Sequence, residues 1–350
     1  MVAVLGAGTR PRFHTALLKW ALRARHQHPL LPSVSRSAVT GSLRVSPEKE
    51  MLLSLCRHTI CDFFHRVKFT VVPYTHDPEL VSQVNNIVQT WDTAVALRPH
   101  VVTAIGGTIA AYSHITNIET KVQIALFTTI ILALDDPDIL DSVPSREFHH
   151  MLFSRMAESS SGLLGELRRL LPGMWDHYSR FAASAIVTSA LDFMNMTILE
   201  NETREMSLSS EGAAFLVHRR TRTATAEAYA HFIWAKAKFP DVNVYLQAIP
   251  DVMVYVNCVN DILSFYKEEL AGETGNYIGD RAAIERRTSM EILQEIVDET
   301  VATAERIWHI LGEGDARESW ESFARGYISA HALTPRYRLH EVLDRQYLSH

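Results

Sequence analysis

Apolar residues return along this chain with the period of a helix. Leu52, Leu53, Cys56, Ile60, Phe63, Phe64 and Val67 recur every three or four positions, which puts their side chains on one helical face. Ser46-Pro47-Glu48 reads as the start of that helix: a hydroxyl at the N-cap, proline at the first helical position and an acid in the first turn. Similar amphipathic or largely apolar stretches cover about 78–97, 101–115, 119–136, 145–160, 174–203, 210–237, 242–269, 280–312 and 316–333. Breaks are expected at Pro73, Pro99, Pro137, Pro144, Pro172-Gly173, Pro240, Pro250 and Pro335. No alternating strand pairs flank an Asn-Gly or Asp-Gly turn, and no internal repeat is visible. Some segments, 178–200 among them, are apolar almost all round, which places them inside a multi-helix assembly. The pattern predicts an all-α protein, a single-domain helical bundle from residue 46 to 350.

Composition narrows the function classes. The 350 residues are 47% hydrophobic and 21% charged, enough apolar surface for a large core. Lys and Arg number 34 against 40 Asp and Glu, a net charge of −6, so no basic excess is present to displace phosphate counterions, and no nucleic-acid partner is expected. Cys56, Cys61 and Cys258 cannot build a disulfide framework, which points to a reducing compartment. The most apolar run, Val122 to Leu134, is too short to span a bilayer, so no membrane span is expected. A cytoplasmic location follows as the expectation. Residues 1–45 carry Arg10, Arg12, Lys19, Arg23, Arg25, Arg36 and Arg44 with no Asp or Glu. They read as a flexible basic extension or as an organellar leader. The glycines of Val4-Leu5-Gly6-Ala7-Gly8 lack the third glycine and the βαβ pattern of a dinucleotide site.

Two acidic constellations carry the candidate chemistry. In the first, Leu132-Ala133-Leu134-Asp135-Asp136-Pro137-Asp138-Ile139-Leu140-Asp141, two adjacent carboxylates close an apolar helix. Asp135, Ile131 and Phe127 share one stripe of that helix. A carboxylate at the mouth of an apolar stripe needs a metal, an Arg partner or simple exposure to water. In the second, Asn260-Asp261-Ile262-Leu263-Ser264-Phe265-Tyr266-Lys267-Glu268, the residues Asn260, Ser264 and Glu268 stand four apart. On a helix, successive steps of four rotate by only about 40°, so an amide oxygen, a hydroxyl and a carboxylate line one face. Such hard oxygen donors suit Mg²⁺. The alternative is a solvated face, but the helix is otherwise apolar from Val252 to Phe265. Two such motifs on different helices can hold metal against one polyanion, and metal neutralisation turns a diphosphate into a leaving group.

Asn-Asp-Ile-Leu-Ser-Phe-Tyr-Lys-Glu at 260–268 resembles the second metal-binding motif of class I terpene synthases, and Glu269-Leu270-Ala271-Gly272-Glu273-Thr274 resembles its continuation in the fungal trichodiene synthase-like branch. Asp135 stands 125 residues earlier, as that family has its aspartate-rich motif. Arg336-Tyr337 resembles the family's diphosphate-binding Arg-Tyr pair, and Arg219-Arg220-Thr221-Arg222 falls where the family keeps its diphosphate-sensing Arg. Roughly residues 48 to 347 are covered.

The resemblance implies a sesquiterpene cyclase that ionises farnesyl diphosphate with three Mg²⁺ ions, Mn²⁺ substituting, and that forms a homodimer. By the same resemblance Asp135, and less directly Asp136, hold metal on one wall, and Asn260, Ser264 and Glu268 hold it on the other. Arg220, Lys267, Arg336 and Tyr337 would bind the diphosphate, with Arg219 and Arg222 competing for the sensor role under a one-residue shift. Phe127 and Tyr327 are candidate faces for a carbocation; Phe193 and Trp234 read as core packing. The usual later carboxylate of the first motif is Ile139 here, flanked by Asp138 and Asp141, and Thr334-Pro335 replaces an acid before the Arg-Tyr pair. Alternatives within the same fold are a prenyl diphosphate enzyme of other chain length, one that does not cyclise, and an inactive helical binding protein.

Overall fold

The computed structural model describes residues 47–73, 75–140, 148–153, 162–203 and 206–348, and no strand occurs among them. The helices are α1 (Pro47–Arg66), α2 (Pro78–Val88), α3 (Ala94–Ala111), α4 (Ile118–Leu134), α5 (Pro137–Leu140), α6 (Phe148–Phe153), α7 (Gly162–Leu170), α8 (Met174–His177), α9 (Arg180–Glu202), α10 (Ala213–Thr223), α11 (Ala226–Phe232), α12 (Ile249–Ala271), α13 (Tyr277–Glu285), α14 (Ser289–Leu311) and α15 (Asp315–Leu333). Residues 1–46, and with them the basic extension and the Ser46 cap, lie outside the described residues.

Helix α12 runs through the middle, packed against α11, α14 and α1. From Tyr255 to Lys267 every residue but Asn260 is buried, which is why its sequence is apolar on nearly every face. Proline 250 starts this helix and does not interrupt it: in the first turn its fixed φ suits the helix and its missing N–H has no partner to lose. Helix α3 lies between α4 and α15. Gly326 of α15 sits against the Ala110 carbonyl of α3, so close that a Cβ there would overlap backbone. Glycine is therefore what lets these two helices meet.

Several predicted segments are subdivided. Stretch 174–203 divides at Tyr178–Ser179, where Ser179 takes an extended conformation and its hydroxyl accepts from the Ala182 N–H. Stretch 210–237 divides at Thr225, which is left-handed with φ 47°. Stretch 280–312 divides at Arg286, also left-handed, and restarts at a capping box between Thr288 and Glu291. Two 3-10 turns occupy 242–248 before α12 begins. Conversely, α3 continues through Pro99. Proline removes one N–H donor there, and the carbonyl it strands is that of Val95, a residue 92% exposed and open to water. His149 of α6 bonds the Leu191 carbonyl of α9 at 3.0 Å.

Trp234 and Phe193 are core residues, as their apolar surroundings implied. The Trp234 indole stacks on Tyr245 with centroids 4.6 Å apart and donates to the Ala316 carbonyl at 3.1 Å. Helices α3 and α9 are long and apolar enough to cross a membrane by length and composition, and 44% and 50% of them is buried against other helices of the bundle.

Candidate active site

Helix α4 is apolar along its inner length and ends at Asp135 and Asp136. A negative charge at a helix C-terminus faces the unfavourable end of the macrodipole, so these carboxylates need cations. Asp135 is half-exposed and its Oδ2 lies 3.5 Å from the Arg336 guanidinium. Asp136 turns the other way, nearly buried, with Oδ2 3.6 Å from Nε2 of His100 on α3. Asp141 and the side chain of Asp138 lie outside the described residues.

The polar row of α12 faces the same region. Asn260 is half-buried: its Oδ1 accepts from Arg220 at 3.5 Å, and its Nδ2 lies 3.3 Å from His331 Nε2 and 3.5 Å from the Tyr337 hydroxyl. Ser264 is 2% exposed, and its hydroxyl has no hydrogen-bond partner among the described residues. Glu268 is held by Lys267 at 3.0 Å, and Lys267 also reaches Glu273 at 3.5 Å. Tyr337 and Arg336 are adjacent in a 3-10 turn after α15, so that turn joins Asp135 on one side to Asn260 on the other.

Arg220 forms the floor. Its Nε and Nη2 grip both oxygens of Asp261 at 3.0 and 2.7 Å, and Nη2 also donates to the Asn257 carbonyl at 2.9 Å. Burial pushes the Asp261 carboxyl up to about 6, with Arg220 pulling the other way. A cleft of about 160 Å³ opens above this pair, lined among others by Glu200, Arg219, Arg220, Asn260 and Glu268. Burial likewise raises the Glu200 carboxyl, with Arg219 opposing. Burial pulls the His331 imidazole down to about 4.

Residues 83–350 match the family model of trichodiene synthase (TRI5). The chain belongs to the trichodiene synthase family. Monoterpene synthase 25 of Postia placenta is 48% identical over 310 residues, covering 89% of this chain and 93% of that one. Alpha-cuprenene synthase COP6 of Coprinopsis cinerea is 30% identical over 293 residues, 81% of this chain and 88% of its own. In fold, the linalool/nerolidol synthase of Streptomyces clavuligerus superposes with a TM-score of 0.54 at 13% identity, covering 75% of this chain and 97% of that one. Family and fold together make this a class I terpene synthase, an all-α enzyme of the family that the motifs resembled.

The three candidate sensor arginines, which a one-residue shift left in competition, separate here. Arg220 faces the row on α12. Arg219 also lines the cleft, but its guanidinium is tied to Asp280 and the Gly275 carbonyl. Arg222 is not among the cleft-lining residues; it points to Asp192 at 3.6 Å and to His218. Two residues beyond Arg220, it stands about 200° further around the helix. Phe127 is fully buried, edge-on to Phe232 at 5.2 Å and Tyr229 at 6.3 Å. Tyr327 is half-buried, stacked on Phe323 at 5.4 Å, with its hydroxyl donating to the Val256 carbonyl at 3.3 Å. Asp261, Glu200 and His331 were not anticipated. Asp261 stands inside the quoted motif and was readable as the partner of a sensing Arg, whereas nothing in the sequence around Glu200 or His331 marks them.

A divalent cation fits this donor set. A buried hydroxyl without a partner costs about 1–3 kcal/mol, and Ser264 lies midway between an amide oxygen and a carboxylate on one helical face. All three are hard oxygen donors. With only one carboxylate in the triad, no cluster of three His, Cys, Asp or Glu marks the site among the described residues.

Proposed function

We propose that this protein is a Mg²⁺-dependent sesquiterpene synthase that ionises farnesyl diphosphate and releases diphosphate with a cyclic C15 hydrocarbon or alcohol. The observation that carries the reading is the bridge from Asp135 through Arg336-Tyr337 to Asn260, which links the two acidic motifs. Asn260, Ser264 and Glu268 would hold metal on one wall and Asp135 on the other, with Asp136 held back by His100. Bound Mg²⁺ would supply the positive charge that stabilises diphosphate as a leaving group. The chain's own donors share that task. Arg336 would present a planar fork to phosphate oxygens, Arg220, whose Nε and Nη2 hold Asp261, would offer Nη1, Lys267 would add a point charge, and Tyr337 would donate a hydroxyl. The C–O bond breaks with its electron pair leaving on diphosphate. The allylic cation that remains needs a dry apolar wall, and Tyr327 is the aromatic of the predicted pair that stands nearer the polar row, through its contact with His331 at 4.5 Å. Phe127 supports that wall from within the core.

A second reading, a C10 substrate, is favoured by the name of the Postia placenta relative, a monoterpene synthase at 48% identity. Incubation with farnesyl and geranyl diphosphates, with and without Mg²⁺, followed by gas chromatography–mass spectrometry, separates the two. A cyclic C15 product that requires Mg²⁺ and vanishes in Asn260→Ala/Ser264→Ala is expected. Cyclic products from geranyl diphosphate alone establish the C10 reading. Intact diphosphates with both substrates, from folded protein, overturn the synthase reading in favour of an inactive binding protein.

A further inference from the structure

The Asn260 side chain has two ends that look alike in shape and differ in chemistry: an oxygen able to meet a cation and an NH₂ that repels one. Two independent sets of contacts settle which end faces where. On one side stands Arg220 Nη2, 3.5 Å away. A guanidinium has only donors, so the atom that meets it is the oxygen. On the other side stands His331, whose Nδ1 lies 2.8 Å from the Tyr327 carbonyl. A carbonyl only accepts, so Nδ1 carries the proton, and Nε2 of the neutral ring presents its lone pair. That lone pair lies 3.3 Å from the Asn260 Nδ2 and accepts from it. The ring is itself fixed, 5% exposed and wedged between Tyr327 and Tyr337 with centroids 4.5 and 4.4 Å away.

We infer that His331 is a positioning residue whose Nε2 holds the Asn260 NH₂ and thereby turns the Asn260 oxygen toward the metal side of the cleft. The inference rests on the Mg²⁺ reading above. Without an acceptor at this position, the amide keeps only its 3.5 Å contacts with Arg220 and the Tyr337 hydroxyl, and its oxygen is held less firmly toward a cation. Residues that orient a ligand in this way are worth about as much as a ligand's own fine placement, typically tenfold or more in metal affinity.

The test is calorimetric titration of Mg²⁺ into the full chain with inorganic diphosphate present, for wild type, His331→Gln and His331→Leu, with metal-free thermal unfolding of each. Glutamine places a carbonyl oxygen near the position of Nε2 and can accept from the amide; leucine fills the space and accepts nothing. His331→Leu should weaken Mg²⁺ binding about tenfold or more while His331→Gln stays within about threefold of wild type. Equal Mg²⁺ affinity in all three proteins overturns the inference. So does an equal loss in both variants that follows their loss of melting temperature, since that is the mark of packing alone. If wild type itself binds no Mg²⁺ with diphosphate, the Mg²⁺ reading fails and this inference fails with it, an outcome distinct from the other two.

Discussion

Arg220 grips Asp261 with two parallel hydrogen bonds, and the same guanidinium reaches the Asn260 oxygen. Lysine at this position keeps the charge and loses the fork. Arg220→Lys should therefore cut diphosphate release from the substrate about 100-fold, the cost of removing one donor aimed at developing charge. Arg222→Ala, whose side chain meets Asp192 at the surface, should change the same rate by about threefold or less. His231 offers a separate test at the scale of one residue. It is fully buried, both ring nitrogens lack a partner among the described residues, and burial pulls it down to about 4. Below an unfolded value of about 6.5, the unfolded chain takes up a proton that the folded one refuses. Stability from this group is thus present above that value and is lost as pH falls toward 4. In urea unfolding across that window, His231→Leu should show a shallower loss of stability than wild type. At this scale, the Asn260/Ser264/Glu268 row was legible because helical spacing alone brings three residues to one face. The choice among Arg219, Arg220 and Arg222 was not legible, because adjacent residues differ by about 100° and only packing fixes the rotation.

Elements meet through small features of sequence. Gly326 lets α15 approach the Ala110 carbonyl of α3 with no side chain between. The obstacle is backbone, which cannot swing aside, so Gly326→Ala should destabilise the fold by about 2 kcal/mol or more, read as a lower urea midpoint at unchanged slope. An unchanged midpoint would show that the helices separate at no cost. Helix starts at Ser179 and Thr288 follow local chemistry and are readable as caps. The division at Thr225 is different: a β-branched residue in left-handed backbone has no local signal, and this one is fully buried. Pro99 misled in the opposite direction, since an exposed Val95 carbonyl tolerates the lost bond.

At the scale of the whole molecule, the turn after α15 links Asp135 at the end of α4 to Asn260 of α12, and α10 brings Arg219 and Arg220 to the cleft that Asn260 and Glu268 line. The class of fold was open to reading because every segment carried a helical period and no segment alternated. The family followed from four motifs in order, and the match over residues 83–350 agrees with it. Substrate length was not open to reading, because it depends on the shape of an apolar wall assembled from several helices. The central claim is that the two acidic motifs form one metal–diphosphate site. Crystals grown with Mn²⁺ and diphosphate test it through anomalous scattering. Mn²⁺ should lie against the Asn260 oxygen, the Ser264 hydroxyl and Glu268, with further Mn²⁺ at Asp135 across a shared diphosphate. Mn²⁺ found only at sites away from this cleft, with the Ser264 hydroxyl still unpaired, would contradict it.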